Sequence, residues 1–89
     1  MVVVRLPGLL ATQAGGRGRF EVEAQTVAEA LRALPIADLI FDEAGELRPL
    51  VNVYVDGVDA RSRGGLGATV DRDAEIRVVA AIAGGSGRV

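Results

Sequence analysis

Cysteine and histidine are both missing from this 89-residue chain. Without cysteine there is no disulfide, no thiolate nucleophile and no cysteine-ligated zinc. Without histidine, the nucleophile–base triads and the usual metal clusters fall away as well. Lysine is absent too, because all ten basic residues are arginine. The chain therefore forms no Schiff base and offers no ε-amine to an isopeptide bond. Drift toward GC-rich codons is the simplest source of that bias. Aromatics are only 3% of residues against an apolar share of 49%, so Val, Leu, Ile and Ala must fill the core. The net charge is −2 with no basic cluster, which leaves no electrostatic footprint for nucleic acid. No apolar run approaches the ~20 residues that span a bilayer, and the start carries no signal-peptide pattern. A cytoplasmic protein without membrane contact is expected. A single domain of this size buries only about 60–65% of its unfolded surface. An independently acting enzyme fits these exclusions poorly, whereas a carrier or binding module fits them well.

What is present reads as alternating strands around one helix. Val2 to Leu6 alternates and is closed by Pro7-Gly8, which suits a strand with one buried face. Gln13 to Gly18 is a glycine-rich loop, and Arg19 to Ala24 then sets Phe20, Val22 and Ala24 against Arg19, Glu21 and Glu23. The two strands are predicted to form a hairpin. Thr26-Val27-Ala28-Glu29 fits a capping box, and Val27, Ala30, Leu31 and Leu34 form one apolar stripe, ended by Pro35. The stripe predicts a helix over Val27 to Leu34. Ile36 to Phe41 is expected to tuck Ile36, Leu39 and Ile40 inward, and Asp42 to Pro49 to form an exposed turn.

Leu50 to Val55 reads as a strand, turned by Asp56-Gly57 into Val58-Asp59-Ala60. Arg61 to Asp73 is a loop anchored by Leu66 and Val70. Glu75 to Ala83 is the last strand, apolar on both faces apart from Arg77, as expected of a strand at the centre of a sheet. Laying the helix stripe across one face of a mixed sheet buries both apolar surfaces in two layers. With the first and last strands side by side in the middle, the expected fold class is α+β, the β-grasp arrangement.

Catalytic constellations are nearly absent. Asp71-Arg72-Asp73-Ala74-Glu75 lacks a full oxygen-ligand set and reads as a solvated turn. Gly64-Gly65-Leu66-Gly67 has no following Lys-Ser/Thr pair and reads as loop geometry. Tyr54 reads as a surface aromatic on a sheet, with a functional phenol as the rival. The one feature with chemical promise is the tail, where a central strand runs into Ala83-Gly84-Gly85. Two glycines let an extended segment enter a channel too narrow for any Cβ. The same pair is also what a flexible linker looks like, and the residues alone leave both readings open.

The context adds a resemblance. Ile82-Ala83-Gly84-Gly85 after Asp73-Ala74-Glu75-Ile76-Arg77-Val78-Val79 resembles the end of the MoaD/ThiS family of ubiquitin-like sulfur carriers. Leu6-Pro7, Gly15-Gly16, Leu50-Val51-Asn52-Val53-Tyr54-Val55 and Gly64-Gly65-Leu66 look most like its CysO-type branch, with the molybdopterin carriers next. The resemblance implies a carrier domain over residues 1–85 and an extension, 86–89, that is removed. It implies that an ATP-dependent adenylyltransferase converts the Gly85 carboxylate to an acyl-adenylate, that a sulfur donor leaves a thiocarboxylate there, and that a biosynthetic synthase accepts the sulfur. Gly84 gives access and Gly85 bears the sulfur. No bound cofactor or metal is implied, since the partner uses the ATP. Gly85 is joined to Ser86, so a JAMM-type metalloprotease is implied for cleavage between Gly85 and Ser86. Where family members often carry proline before the tail, this chain has Ala80-Ala81. By strand alternation, the sheet face away from the helix displays Val3, Arg5, Arg19, Asn52, Tyr54, Arg77 and Val79, and this is the expected docking face. The rival functions are a ubiquitin-like protein modifier and a non-covalent β-grasp binding module.

Overall fold

In the computed structural model, which describes residues 1–80, five strands form one mixed sheet with the helices on one side. Strand β1 (Val2–Arg5) leads into a short helix α1 (Gly8–Gln13), then strand β2 (Arg19–Val22), helix α2 (Val27–Arg32) and a single turn of helix α3 (Ala37–Ile40). Strands β3 (Val51–Val55) and β4 (Val58–Asp59), two 3₁₀ turns (Ala60–Arg63 and Gly65–Gly67) and strand β5 (Glu75–Ala80) follow. The strand order is β2-β1-β5-β3-β4. β1 and β5 are parallel neighbours and the other pairs are antiparallel. This is the β-grasp arrangement expected from the sequence, with the first and last strands in the middle.

The core follows the alternation. Val2 and Val4 of β1, Val53 and Val55 of β3, and Ile76 and Val78 of β5 are buried on one face of the sheet. α2 lies across them, with Val27, Ala30 and Leu31 fully buried and Leu34 nearly so. Val22 of the edge strand is half-buried against the same cluster. α2 begins where the capping pattern places it: the Thr26 hydroxyl accepts from the Glu29 N–H at 3.2 Å. The Glu29 carboxylate reaches one residue further back than a standard box, accepting from the Gln25 N–H at 2.8 Å. Backbone bonds from Val27 N–H to the Ala68 carbonyl and from Val70 N–H to the Gln25 carbonyl tie the 61–73 loop to this helix start. Leu66 and Val70 pack against the core as the anchors they were read to be.

Four expectations need correction. β1 and β2 pair antiparallel, but their connection contains α1, where only a glycine-rich loop was expected. Proline is tolerated at a helix entry, where no intrahelical N–H bond is lost. Pro7 takes the position just before α1, so Pro7-Gly8 starts a helix as well as closing a strand. α1 then stops at Gly15 and Gly16, both at positive φ, where the Gly16 N–H bonds to the Ala11 carbonyl. α2 ends at Arg32, with Leu34 already in the turn that leads to Pro35. Leu39 is exposed, while Ile36 and Ile40 are buried as expected, because α3 is too short to turn three apolar positions inward. Finally, β5 is central but covered on one face only: Val79 is 37% exposed. The 81–83 part of the predicted strand lies outside the described residues.

Leu31 is the largest side chain of the α2 stripe and has no exposed surface. Leu31→Ala is expected to lower the unfolding free energy by about 2–5 kcal/mol in urea titration. A loss below about 0.5 kcal/mol, typical of surface positions, would show that the helix phase is wrong.

Candidate functional site

β5 carries the chain out of the middle of the sheet toward the glycine pair. Gly84 and Gly85, the expected activation site, and Gly85-Ser86, the expected cleavage site, lie outside the described residues. The strand that delivers them is described to Ala80, which pairs with Val51.

The sheet face away from α2 brings together all seven residues expected there. Strand alternation turns Val3 and Arg5 of β1, Arg19 of β2, Asn52 and Tyr54 of β3, and Arg77 and Val79 of β5 outward, opposite the buried Val4, Val53, Ile76 and Val78. Register then sets them in rows. Arg19 pairs with Arg5, Arg5 with Arg77, Arg77 with Tyr54, and Tyr54 with Asp59. A second row runs from Glu21 through Val3 to Glu75, and nearer the tail Val79 pairs with Asn52.

Ion pairs cross this face. Arg5 Nε donates to the Glu75 carboxylate at 2.6 Å, and an Arg19 guanidinium nitrogen to Glu21 at 2.8 Å. Exposed pairs of this kind contribute ~0–1 kcal/mol each, so they organise the surface more than they stabilise it. Arg61 donates to Asp59 through its side chain at 2.8 and 3.2 Å and through its backbone N–H at 2.9 Å. These bonds, the side-chain ones foremost, hold the Asp59 carboxyl below its ordinary value. The same guanidinium donates to Asn52 Oδ1 at 3.1 Å and so fixes the Asn52 side chain on the face. Arg77 has no carboxylate within ion-pair distance among the described residues. It stands between two shallow hollows. One of about 470 Å³ is lined by Tyr54, Gly57, Glu75, Arg77 and Val79. The other, of about 370 Å³, includes Arg5, Pro7 and Val79.

Sequence reasoning missed four members of this surface: Glu21, which shares its face with Arg19 by alternation, and Glu75, Asp59 and Arg61. Glu75 shares its face with Arg77 and Val79 by simple alternation and was legible. Asp59 follows from the two-residue Asp56-Gly57 turn, which sets Val55 opposite Val58 and Tyr54 opposite Asp59. Arg61 had no such signal, because a 3₁₀ turn after β4 brings it back over Asn52.

Elsewhere the loop readings hold. Gly64 joins the two 3₁₀ turns and Gly65–Gly67 forms the second, and Asp71 to Ala74 is a turn closed by an Ala74 N–H to Asp71 carbonyl bond. Among the described residues no group of three or more acidic side chains is placed to hold a metal ion. None of their helices is long and apolar enough to cross a membrane. A hollow of about 820 Å³ among Met1, Glu23, Gln25, Glu29 and Arg72 lies at the end of the sheet where β5 begins, away from Ala80. The described face therefore presents arginines, ion-paired carboxylates, the Asn52 amide, the Tyr54 phenol and the valines Val3 and Val79.

Comparison with known proteins agrees with this geometry. A family model described as the ThiS family matches residues 4–85, ending on the second glycine. A chain of the crystal structure of the Amycolatopsis orientalis BexX/CysO complex is similar at 32% identity and a TM-score of 0.77, over 94% of this chain and 99% of that one. SAMP1 from Haloferax volcanii is similar at 28% identity and a TM-score of 0.72, over 93% and 97%. CysO from Mycobacterium tuberculosis, at 24% identity and a TM-score of 0.80 over 92% and 100%, supports the fold. Curated protein sequences give no match.

Because Asp59 is held below its unfolded pKa, its contribution to stability is present above that unfolded value and is lost as pH falls through the folded one. Arg61→Ala should raise the Asp59 pKa toward the ordinary carboxylate value, read by carboxyl-carbon NMR titration. An unchanged titration would mean that the Arg61 bonds do not set it.

Proposed function

The chain belongs to the ThiS family of ubiquitin-like sulfur carriers and modifiers, and from that premise we propose that it carries sulfur as a thiocarboxylate on Gly85. The supporting observation is the placement of Gly84-Gly85 just beyond the central strand, with the family match stopping at Gly85. A carboxylate at Gly85 attacks the α-phosphate of ATP on a partner adenylyltransferase, and pyrophosphate leaves. A sulfur donor then displaces AMP from the acyl-adenylate and leaves the thiocarboxylate. The nucleophilic sulfur passes to a biosynthetic synthase, in cysteine synthesis by preference and in molybdopterin synthesis next. Likeness to a chain of the BexX/CysO complex supports that order.

In this reading the protein is a co-substrate and not an enzyme. It binds no cofactor of its own and works in the cytoplasm, where ATP is at hand. The sheet face carrying Val3, Arg5, Arg19, Asn52, Tyr54, Arg77 and Val79 docks on the adenylyltransferase while the tail enters its channel. Gly84 matters because a side chain there would jam a channel shaped for glycine. The Gly85 carbonyl is bonded to Ser86, and an amide oxygen is a poor nucleophile toward phosphorus. Hydrolysis of the Gly85–Ser86 bond, by a zinc metalloprotease of the JAMM type, is therefore the step that arms the carrier.

Likeness to SAMP1, a small archaeal modifier protein, supports a second reading in which the same activated glycine is joined to amines on target proteins. Conjugate ladders in host extract favour the modifier; free thiocarboxylate favours the carrier. If deleting residues 84–89 leaves function intact, both give way to a non-covalent binding module.

With a cognate adenylyltransferase, ATP and sulfide, a chain ending at Gly85 should gain the mass expected for exchange of one oxygen by sulfur. The 89-residue chain should stay inert in ATP–pyrophosphate exchange, and equal activity of the two would sink the arming step. Gly84→Leu should block activation while leaving the fold intact. Normal activation of that variant would remove the narrow-channel argument.

A further inference from the structure

Arg5, Arg19 and Arg77 are far apart in sequence, yet the sheet sets them in one row across three adjacent strands. With strands ~4.8 Å apart, the three Cα atoms span about 10 Å, and Tyr54 extends the row by one more strand. Like charges directly opposite on neighbouring strands oppose pairing. Nothing in the fold requires the row, because all three side chains are exposed and lie on the face away from the core. Two members are offset by flanking carboxylates, Arg5 by Glu75 and Arg19 by Glu21. Arg77, on the central strand, has no such offset among the described residues and is open on both sides to the hollows described above.

We propose that the Arg19–Arg5–Arg77 row is the seat for an acidic surface of the partner protein, with Arg77 taking a partner carboxylate between Tyr54 and Val79. The assignment rests on the carrier reading for which partner this is, and on the register alone for its chemistry. A guanidinium accepts a carboxylate through two parallel N–H bonds, a geometry an ammonium lacks. Glu21, Glu75 and Asp59 lie among the arginines, each already engaged by an arginine. A continuous phosphate backbone would run against these carboxylates, whereas a protein surface of mixed charge fits between them. Val79 and Tyr54 supply the apolar contact beside the cation. The arrangement trades sheet stability for recognition, and that trade gives the test two independent readouts.

The probe is a hexaglutamate peptide titrated into the 89-residue chain at low salt, up to millimolar concentration, and followed by backbone amide shifts. Shifts should concentrate at Arg5, Tyr54, Arg77 and Val79, vanish at high salt, and weaken about tenfold in Arg77→Gln. In urea, the midpoint of Arg77→Gln should equal or exceed that of the wild type, since a repulsive neighbour has been removed. Absent or scattered peptide shifts, or shifts indifferent to Arg77→Gln, overturn the proposal. So does tighter binding of a single-stranded oligonucleotide at the same row, which would make it a phosphate site. A midpoint lowered as far as for a core substitution would make Arg77 structural. Neither readout uses ATP or the adenylyltransferase. Failure of the row therefore leaves the sulfur chemistry standing, and failure in the exchange assay leaves the row standing.

Discussion

The parallel pairing of β1 with β5 joins the two ends of the sequence, and every other feature is arranged around it. Val3 and Arg5 lie beside Glu75 and Arg77, some seventy residues away, and this contact closes the sheet. Parallel neighbours require a crossover, and the intervening chain supplies it with α2 laid over the sheet. β5 thereby becomes the central strand, between β1 and β3. Glu75 to Arg77 are paired on both sides, with β1 and β3 or its turn, and Val78 to Ala80 with β3 alone.

With few aromatics, the core depends on branched aliphatics in close register. Val2, Val4, Val27, Leu31, Ile40, Val53, Ile76 and Val78 are essentially without exposed surface and form a single cluster under α2. α2, with Leu10 of α1 and Ile40 of α3 beside it, covers one face of the five-stranded sheet. The opposite face is left to water, and there the chain places charge, an amide, a phenol and a partly exposed valine. In the proposed reading, that uncovered face is the one offered to other proteins.

In the proposed reading, that face and the tail are complementary parts of one device. The face holds position, through side chains fixed by local bonds such as Arg61 to Asn52 and Arg5 to Glu75. In the same reading the tail carries the reacting carbonyl and needs no side chain of its own. Activation, sulfur transfer and cleavage are chemistry that this reading assigns to partners, in keeping with a chain without cysteine, histidine or lysine.

The strands and the capped helix were legible because each rests on a local rule. Alternation separates Val4 from Arg5, the Thr26–Glu29 spacing starts α2, and Asp56-Gly57 turns a hairpin. α1 was not legible, because Pro7-Gly8 serves as well to close a strand as to open a helix, and only the packing of Leu10 into the core decides between them. The depth of burial of Leu39 and of the outer face of β5 was not legible either, since apolar composition does not say which surfaces find a cover. The sequence by itself determined which residues share a face of each strand, because side chains alternate whatever the strand is paired with. Only the tertiary structure decided that Arg5, Arg19 and Arg77 stand in one row, because register between strands is set by how the whole sheet closes over its helix.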